Sequence, residues 1–229
     1  MQTPDARLLA AAAFVRQGAV LADIGTDHAY LPIYLVASGR ISRAVAADIG
    51  EGPIALARAN VAAAGLSDRI EAVMTDGLFG LADKGITDIT ICGMGGELIS
   101  RILQDAPFVK EKGIRLILQP MSRAATLRRY LAENGFAILA ERPCRAAGRV
   151  YSCLCAEYDG VPRAISPAEA EMGSPTLASA EEKAVFCELL ERKCKAVREK
   201  IDGLRAAALP CGEDEALLDG LLEIQKKYR

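Results

Sequence analysis

The sequence predicts an α/β protein, a doubly wound and largely parallel sheet that closes with an antiparallel hairpin and is followed by a helical appendage. Three observations predict it. Short β-rich apolar runs alternate with longer helical patterns as far as Gly135, the signature of successive βαβ units. Two segments beyond it alternate in polarity around a glycine-containing turn, as paired antiparallel strands do. After a stretch containing Pro, Gly and Ser, apolar residues recur at spacings of three and four.

The elements follow in order. Strands are expected near Ala19–Ile24, Arg43–Asp48, Ile70–Thr75, Asp88–Cys92 and Arg115–Leu118, with helices at Ala29–Ser38, Pro53–Ala64, Gly95–Leu103 and Ala124–Asn134 between them. Pro32 and Pro53 stand near helix starts, where a missing N–H costs nothing, and Gly39, Gly65 and Gly135 follow the last helical residues as C-caps. The hairpin strands are Phe136–Pro143 and Val150–Tyr158, joined through Ala146–Arg149. A parallel sheet ending in such a hairpin is, by analogy, the methyltransferase version of the fold.

Residues 161–175 read as a linker between the α/β domain, 1–160, and a helical hairpin, 176–229. The hairpin's first helix carries Leu190, Cys194, Val197, Ile201, Leu204 and Ala208 in register. Beyond Pro210-Cys211-Gly212, the second carries Leu217, Leu221, Ile224 and Tyr228, giving a coiled-coil-like seam.

At 229 residues and 51% apolar, the chain can bury a full core and still carry a small second unit. Its net charge of −2 excludes the globally basic surface of the simplest nucleic-acid binders. The basic charge is instead concentrated locally: residues 101–149 hold 10 basic and 4 acidic groups, against 7 and 11 in residues 1–100. The seven cysteines form no paired CxxC arrangement of the kind a structural zinc site needs, so no metal is expected and reduced thiols are. No apolar run reaches membrane-spanning length, and a soluble cytoplasmic protein is expected.

In an open parallel sheet the ligand lies beyond the carboxyl ends of the strands. The first strand runs into Asp23-Ile24-Gly25-Thr26-Asp27-His28-Ala29-Tyr30-Leu31-Pro32. Gly25 lets backbone approach a ligand, Thr26 shares its turn, and Asp23 and Asp27 supply acceptors for cationic or amino groups. The segment is not G-x-G-x-x-G, since Thr26 and Asp27 stand where a pyrophosphate-binding turn prefers glycine. A further carboxylate there would repel a dinucleotide's phosphates. A phosphate-free cofactor bearing an ammonium and a sulfonium, S-adenosylmethionine, fits better. The second strand ends at Asp48, placed to accept from ribose hydroxyls, and the third in Asp76-Gly77, suited to an adenine amino group. The fourth runs into Gly93-Met94-Gly95-Gly96, whose glycines permit close approach while Met94 can pack on an aromatic face.

Plainer readings stand beside these. Asp48 and Asp76 serve equally well as helix N-caps, whereas Asp23 falls inside an apolar strand. His28, the only histidine, is at a helix start more often structural, and Met94 suits a core. Three glycines in four residues at a strand–helix junction weaken packing unless something approaches the backbone there.

Together, the Asp23–Pro32 string, Gly52-Pro53, Asp76-Gly77, Gly93-Met94-Gly95-Gly96 and Leu118-Gln119-Pro120 resemble the TrmK family of bacterial tRNA (adenine-22-N1)-methyltransferases. The likeness spans about residues 5–160, and the helical hairpin resembles that family's coiled-coil C-terminal domain. One departure is Met121, where members often carry Asn. The resemblance implies methyl transfer from S-adenosylmethionine to N1 of an adenine in tRNA. On that expectation Asp27 stabilises the cationic ring or accepts its N6 proton, Tyr30 positions the base, and His28 is a second candidate. The exocyclic-amine motif D/N-P-P-Y is absent, which favours a ring nitrogen.

Phosphate contacts are expected from Arg123, Arg128 and Arg129, and from Arg192, Lys193, Lys195, Arg198 and Lys200 on the first C-terminal helix. A solvated charged face is the alternative for each. Oligomeric state is open, with a monomer favoured. Other functional readings are the same fold acting on another substrate, a nucleotide-dependent oxidoreductase, or a non-catalytic RNA-binding relative.

Overall fold

A computed structural model describes residues 4–111, 113–177 and 179–228. Its centre is a seven-stranded sheet of β1 (Val20–Ile24), β2 (Arg43–Asp48), β3 (Ile70–Met74), β4 (Asp88–Gly95), β5 (Arg115–Ser122), β6 (Phe136–Ala146) and β7 (Arg149–Tyr158). The strand order is β3-β2-β1-β4-β5-β7-β6. The first five strands are mutually parallel, and β7 runs antiparallel to both β5 and β6. Chain direction across the sheet reverses between β1 and β4, which opens a crevice beyond their carboxyl ends.

The inner parallel strands β1, β2, β4 and β5 are largely apolar because both faces are covered. Ala22, Ile24, Val45, Ala47, Leu116 and Leu118 enter one core, beneath α4 (Gly96–Gln104) and α5 (Ala124–Glu133). Their neighbours Leu21, Ala44, Ala46 and Ile117 enter the other core, beneath α1 (Ala6–Phe14), α2 (Tyr30–Ala37) and α3 (Glu51–Ala63). This alternation is the period of two that a pleated strand imposes.

Several elements differ from the sequence expectation. Helix α1 was not anticipated, because Leu8-Leu9-Ala10-Ala11-Ala12-Ala13-Phe14 has no polar residue to mark an amphipathic period. It is fixed by Asp5, whose carboxylate accepts from the amides of Arg7 and Leu8 at 2.9 and 3.1 Å. Strands β4 and β5 run on to Gly95 and Ser122, with irregular pairing at Cys92, Met94 and Gly95. Strand β6 extends past Pro143 to Ala146, where Ala147 and Gly148, with φ of 46° and 72°, make a two-residue turn. β6 is an edge strand, which tolerates Pro143, and its pairing is shifted between Ile138 and Ala140.

The 161–175 segment holds a helix, α6 (Pro167–Met172), opened by a capping box between Ser166 and Glu169. Its Ala168 and Met172 share a separate apolar cluster with Phe186, Leu190, Cys194, Val197 and Ile201 of α7 (Ala180–Ala206) and Leu221 of α8 (Gly212–Tyr228).

Arg128 requires a correction. Placed by sequence among the RNA contacts, it is 2% exposed. Its guanidinium pairs with buried Glu141 of β6 and donates to the carbonyls of Ala170 and Glu171 in α6 at 2.8 and 3.1 Å. A guanidinium taken out of water needs such partners on every side, and these leave nothing for a phosphate. Among the described residues no helix is long and apolar enough to cross a membrane.

Candidate active site

A cleft of about 510 Å3 opens where β1 and β4 end, lined by Asp5, Arg7 and Leu8 before the sheet, the loop from Gly25 to Tyr30, and Cys92 and Gly93. The loop is unusual in backbone. Gly25, Asp27 and Ala29 all have positive φ, of 69°, 52° and 58°, a region that costs a non-glycine residue roughly 1–2 kcal/mol. Surrounding hydrogen bonds hold it. The amides of Gly25 and Thr26 both donate to the carbonyl of Ala47, at 2.8 and 3.0 Å. Asn60 of α3 donates to the carbonyl of His28 at 3.0 Å, and the Asp27 amide reaches Asp48 Oδ2 at 3.4 Å.

Asp23 anchors this turn from below. Its carboxylate accepts from the hydroxyls of Thr26 at 2.7 Å and Thr90 at 2.6 Å. Burial pushes its pKa up and nearby Asp48 adds to the rise, while the two hydroxyls oppose it, leaving about 6. Asp48 accepts from the Gly50 amide at 2.9 Å through Oδ1 and spends Oδ2 only on the long contact to Asp27, so acceptor capacity remains toward the cleft.

Beyond Thr26 the loop turns Asp27, His28 and Tyr30 toward the cleft. The Asp27 side chain is 66% exposed, and its carboxylate lies 3.4 Å from His28 Nε2. The imidazole in turn stacks on Tyr30, with ring centroids 5.0 Å apart and planes at 19°. The structure thus brings together the three side chains expected to carry chemistry.

Glycines shape the floor. A Cβ at Gly25 would overlap the terminal methyl of Met94, and one at Gly96 would overlap the carbonyl oxygen of Arg123. Gly93, at φ 80°, is exposed, Gly95 faces Ser122, and Gly77 packs against Ile102 of α4. Asp76 is exposed beyond β3 and does not line the main cleft. Exposed Ile49 and Phe79 follow Asp48 and Gly77, leaving apolar surface beside these strand ends.

Sequence reasoning missed the N-terminal wall. Asp5 grips the Arg7 guanidinium through Nε and Nη2 at 3.1 and 2.5 Å, and Arg7 Nη1 touches Met121 Sδ at 3.0 Å. An Asp preceding an apolar run is an N-cap signal that marks this helix start. Also missed was Gln119, fully buried, whose Oε1 accepts from the Gly93 amide at 3.2 Å and fixes the tip of β4 against β5. Burial pushes the thiol of Cys92 up, away from the thiolate form that a nucleophile needs.

Of the expected RNA contacts, Arg129, Arg192, Lys195 and Arg198 are exposed. Exposed Arg123 sits at the start of α5 with φ 55° and lies 3.7 Å from Glu97. Lys193 and Lys200 pair with Glu171 and Asp214, each at 2.8 Å.

A family model described as a methyltransferase domain matches residues 5–154. The tRNA (adenine(22)-N(1))-methyltransferase of Bacillus subtilis (strain 168) is 40% identical over 163 residues, 68% of each protein. Among solved structures, a Streptococcus pneumoniae protein in complex with S-adenosyl-L-methionine is 35% identical. It superposes with a TM-score of 0.79 over 94% of this chain and 98% of that one. The B. subtilis m1A22 tRNA methyltransferase TrmK is 29% identical, with a TM-score of 0.77 over 98% and 100%. On the domain match and the 40% identity to a curated relative, the chain belongs to the TrmK family of tRNA (adenine-22-N1)-methyltransferases.

Proposed function

We propose that this chain transfers a methyl group from S-adenosylmethionine to N1 of adenine 22 in tRNA. The observation that carries the reading is the exposed Asp27 carboxylate, held in left-handed backbone between the glycine-shaped floor and the stacked His28–Tyr30 pair.

The residues present fit the cofactor. Asp48 retains acceptor capacity for ribose hydroxyls, Gly25 and Gly93 line the cleft without side chains on the side assigned to a methionine moiety, and Thr26 fixes the turn beside them. Asp23, at the floor of the cleft, would offset the charge of an ammonium, and Asp76, Gly77, Met94 and Gly95, at the ends of β3 and β4, would serve the adenosine end. When bound, S-adenosylmethionine supplies an electrophilic methyl on a cationic sulfur.

The chain's own tasks are then exposure, orientation and charge. N1 of adenine is itself the nucleophile, so the enzyme must chiefly extrude the base and align it. Tyr30, stiffened by His28, offers an aromatic face for that base. As N1 gains the methyl the ring becomes cationic, and Asp27 stabilises this charge or takes the N6 proton. Its neighbour His28, 3.4 Å away, orients the carboxylate. Arg129, Arg192 and Arg198 are available to tRNA phosphates, with Arg123, Lys193, Lys195 and Lys200 able to join by exchanging their present partners. We assign the catalytic unit to residues 1–160, the RNA-facing appendage to 176–229, and the activity to the cytoplasm, where tRNA is processed.

The test is transfer of labelled methyl to unmodified tRNA transcripts carrying adenine or guanine at position 22. Label confined to the adenine transcripts is expected. Equal labelling of both would overturn the assigned target.

A further inference from the structure

The segment that joins the sheet to the C-terminal helices is not a slack tether. At its base Arg128 of α5 and Glu141 of β6, with side chains 3% and 1% exposed, form a buried ion pair. The guanidinium also donates through Nη1 to the carbonyls of Ala170 and Glu171 at 2.8 and 3.1 Å, and through Nη2 to Ser152 Oγ of β7 at 3.3 Å. Those carbonyls lie in the last turn of α6, where a helix lacks amides of its own to satisfy them and a cation is favoured. Gly173 follows at φ 68°, and a Cβ there would overlap Glu141 Oε2 and crowd Arg128 Nε, so only glycine lets this backbone close on the pair. The amide of Thr176 then returns to the main-chain carbonyl of Glu141 at 2.9 Å.

The junction touches both working parts of the molecule. On one side, Ala168 of α6 packs on Gly220 of α8, where a Cβ would stand 2.7 Å away, and Glu171 pairs with Lys193 of α7 at 2.8 Å. On the other, Leu127, next to Arg128, and the carbonyl of Arg123 pack on Gly96 at the floor of the cleft.

We propose that Arg128 and Glu141 are a positioning pair for tRNA, fixing the angle between the methyl-transfer cleft and the appendage so that phosphates along α7 stand in register with the adenine at Asp27 and Tyr30. The assignment rests on the substrate reading above. An apolar contact would fill this junction without orienting it, whereas a planar fork with partners on β6, β7 and α6 accepts one geometry. Two further pairs join β6 to α7, Arg142–Glu182 and Arg145–Glu188, but both are partly solvated and too weak to set the angle alone. Leverage makes that angle matter. Past Lys193, α7 continues to Ala206 for about 20 Å, so a swing of about 10° shifts its end by about 3 Å, enough to take an ion pair out of contact.

The test uses the full chain as wild type, as the Arg128→Met, Glu141→Leu double variant and as Arg128→Lys. tRNA affinity is measured across a salt series, alongside kcat and KM for tRNA, S-adenosylhomocysteine affinity and urea unfolding. In the double variant tRNA affinity is expected to fall and KM to rise about tenfold, and the slope of log affinity against log salt to become shallower by about one, as the loss of a phosphate contact implies. S-adenosylhomocysteine affinity should stay within about threefold, as for an independent site. Arg128→Lys keeps a charge for Glu141 but not the fork, so it should show part of the same loss, and it carries the test if the double variant does not fold. Either variant, folded and with wild-type tRNA affinity and salt slope, would overturn the proposal and reduce the pair to packing. Parallel loss of tRNA and S-adenosylhomocysteine affinity would also overturn it, placing the damage in α5 and the cleft floor. A wild type that bound S-adenosylhomocysteine but no tRNA would sink the substrate reading itself, an outcome distinct from both.

Discussion

Asp23→Asn should make the ligand-free fold more stable at neutral pH while weakening it as a cofactor receptor. The buried carboxyl holds its proton with a pKa near 6, against 3.8 when unperturbed, a difference that corresponds to roughly 3 kcal/mol. Because the folded value is the higher one, the stabilisation is fully present below about pH 4 and is lost as pH rises through about 6. Between pH 4.5 and 7.5 the wild type should therefore lose roughly 2 kcal/mol relative to an uncharged reference. Asn supplies that reference, being isosteric and able to hydrogen-bond Thr26 and Thr90 if one hydroxyl turns to accept. Urea unfolding of both proteins at half-unit pH steps measures the difference, in which the other carboxylates largely cancel. A difference that stayed flat to within about 0.5 kcal/mol across this range would refute the argument from burial. S-adenosylhomocysteine affinity, read in parallel, should fall in the variant.

Other outcomes follow from the same geometry. Asp27→Ala should reduce methyl transfer by at least about 100-fold, the scale of a lost acid–base group, with S-adenosylhomocysteine binding changed by less than about threefold in calorimetry. Gly25→Ala should cost roughly 1–2 kcal/mol from its left-handed backbone and lose cofactor affinity as Met94 is displaced, both visible in a ligand thermal-shift titration. Arg128→Ala leaves Glu141 buried without its partner and should cost about 3–5 kcal/mol in denaturant unfolding. The Arg128→Met, Glu141→Leu double variant should recover much of that loss, and a double variant as unstable as the single would show that the α6 carbonyls dominate.

The parallel sheet was legible because its strands are apolar runs bounded by Gly and Pro and end in Asp or Gly. Those same residues mark the crevice, so Asp23, Gly25, Asp27, Asp48 and Gly93 could be named before any geometry. The left-handed backbone at Asp27 and Ala29 could not, since Asp tolerates positive φ without requiring it and Ala disfavours it; it is held by Asn60, Asp48 and Ala47, which are distant in sequence. Arg128 failed for a related reason. A basic residue on a helix looks solvated until its partner is known, and Glu141 lies on another element, 13 positions on. Arg7 was hidden because its helix is too uniformly apolar to show a period, although its cap was visible at Asp5.

Strand β6 closes the sheet on one side, and its proline, its shifted register and its two arginines bear on how the molecule behaves among its own copies. An uncovered strand edge invites a neighbouring chain to add itself. Here Pro143 removes a backbone donor from the row, and the irregular pairing at Ile138–Ala140 breaks the even spacing that a docking strand would follow. Arg142 and Arg145 are drawn toward Glu182 and Glu188 of α7, which lays a helix along this border. Growth of the sheet from molecule to molecule is thus blocked on this side, and a crowded solution of the enzyme is guarded there against cross-strand aggregation.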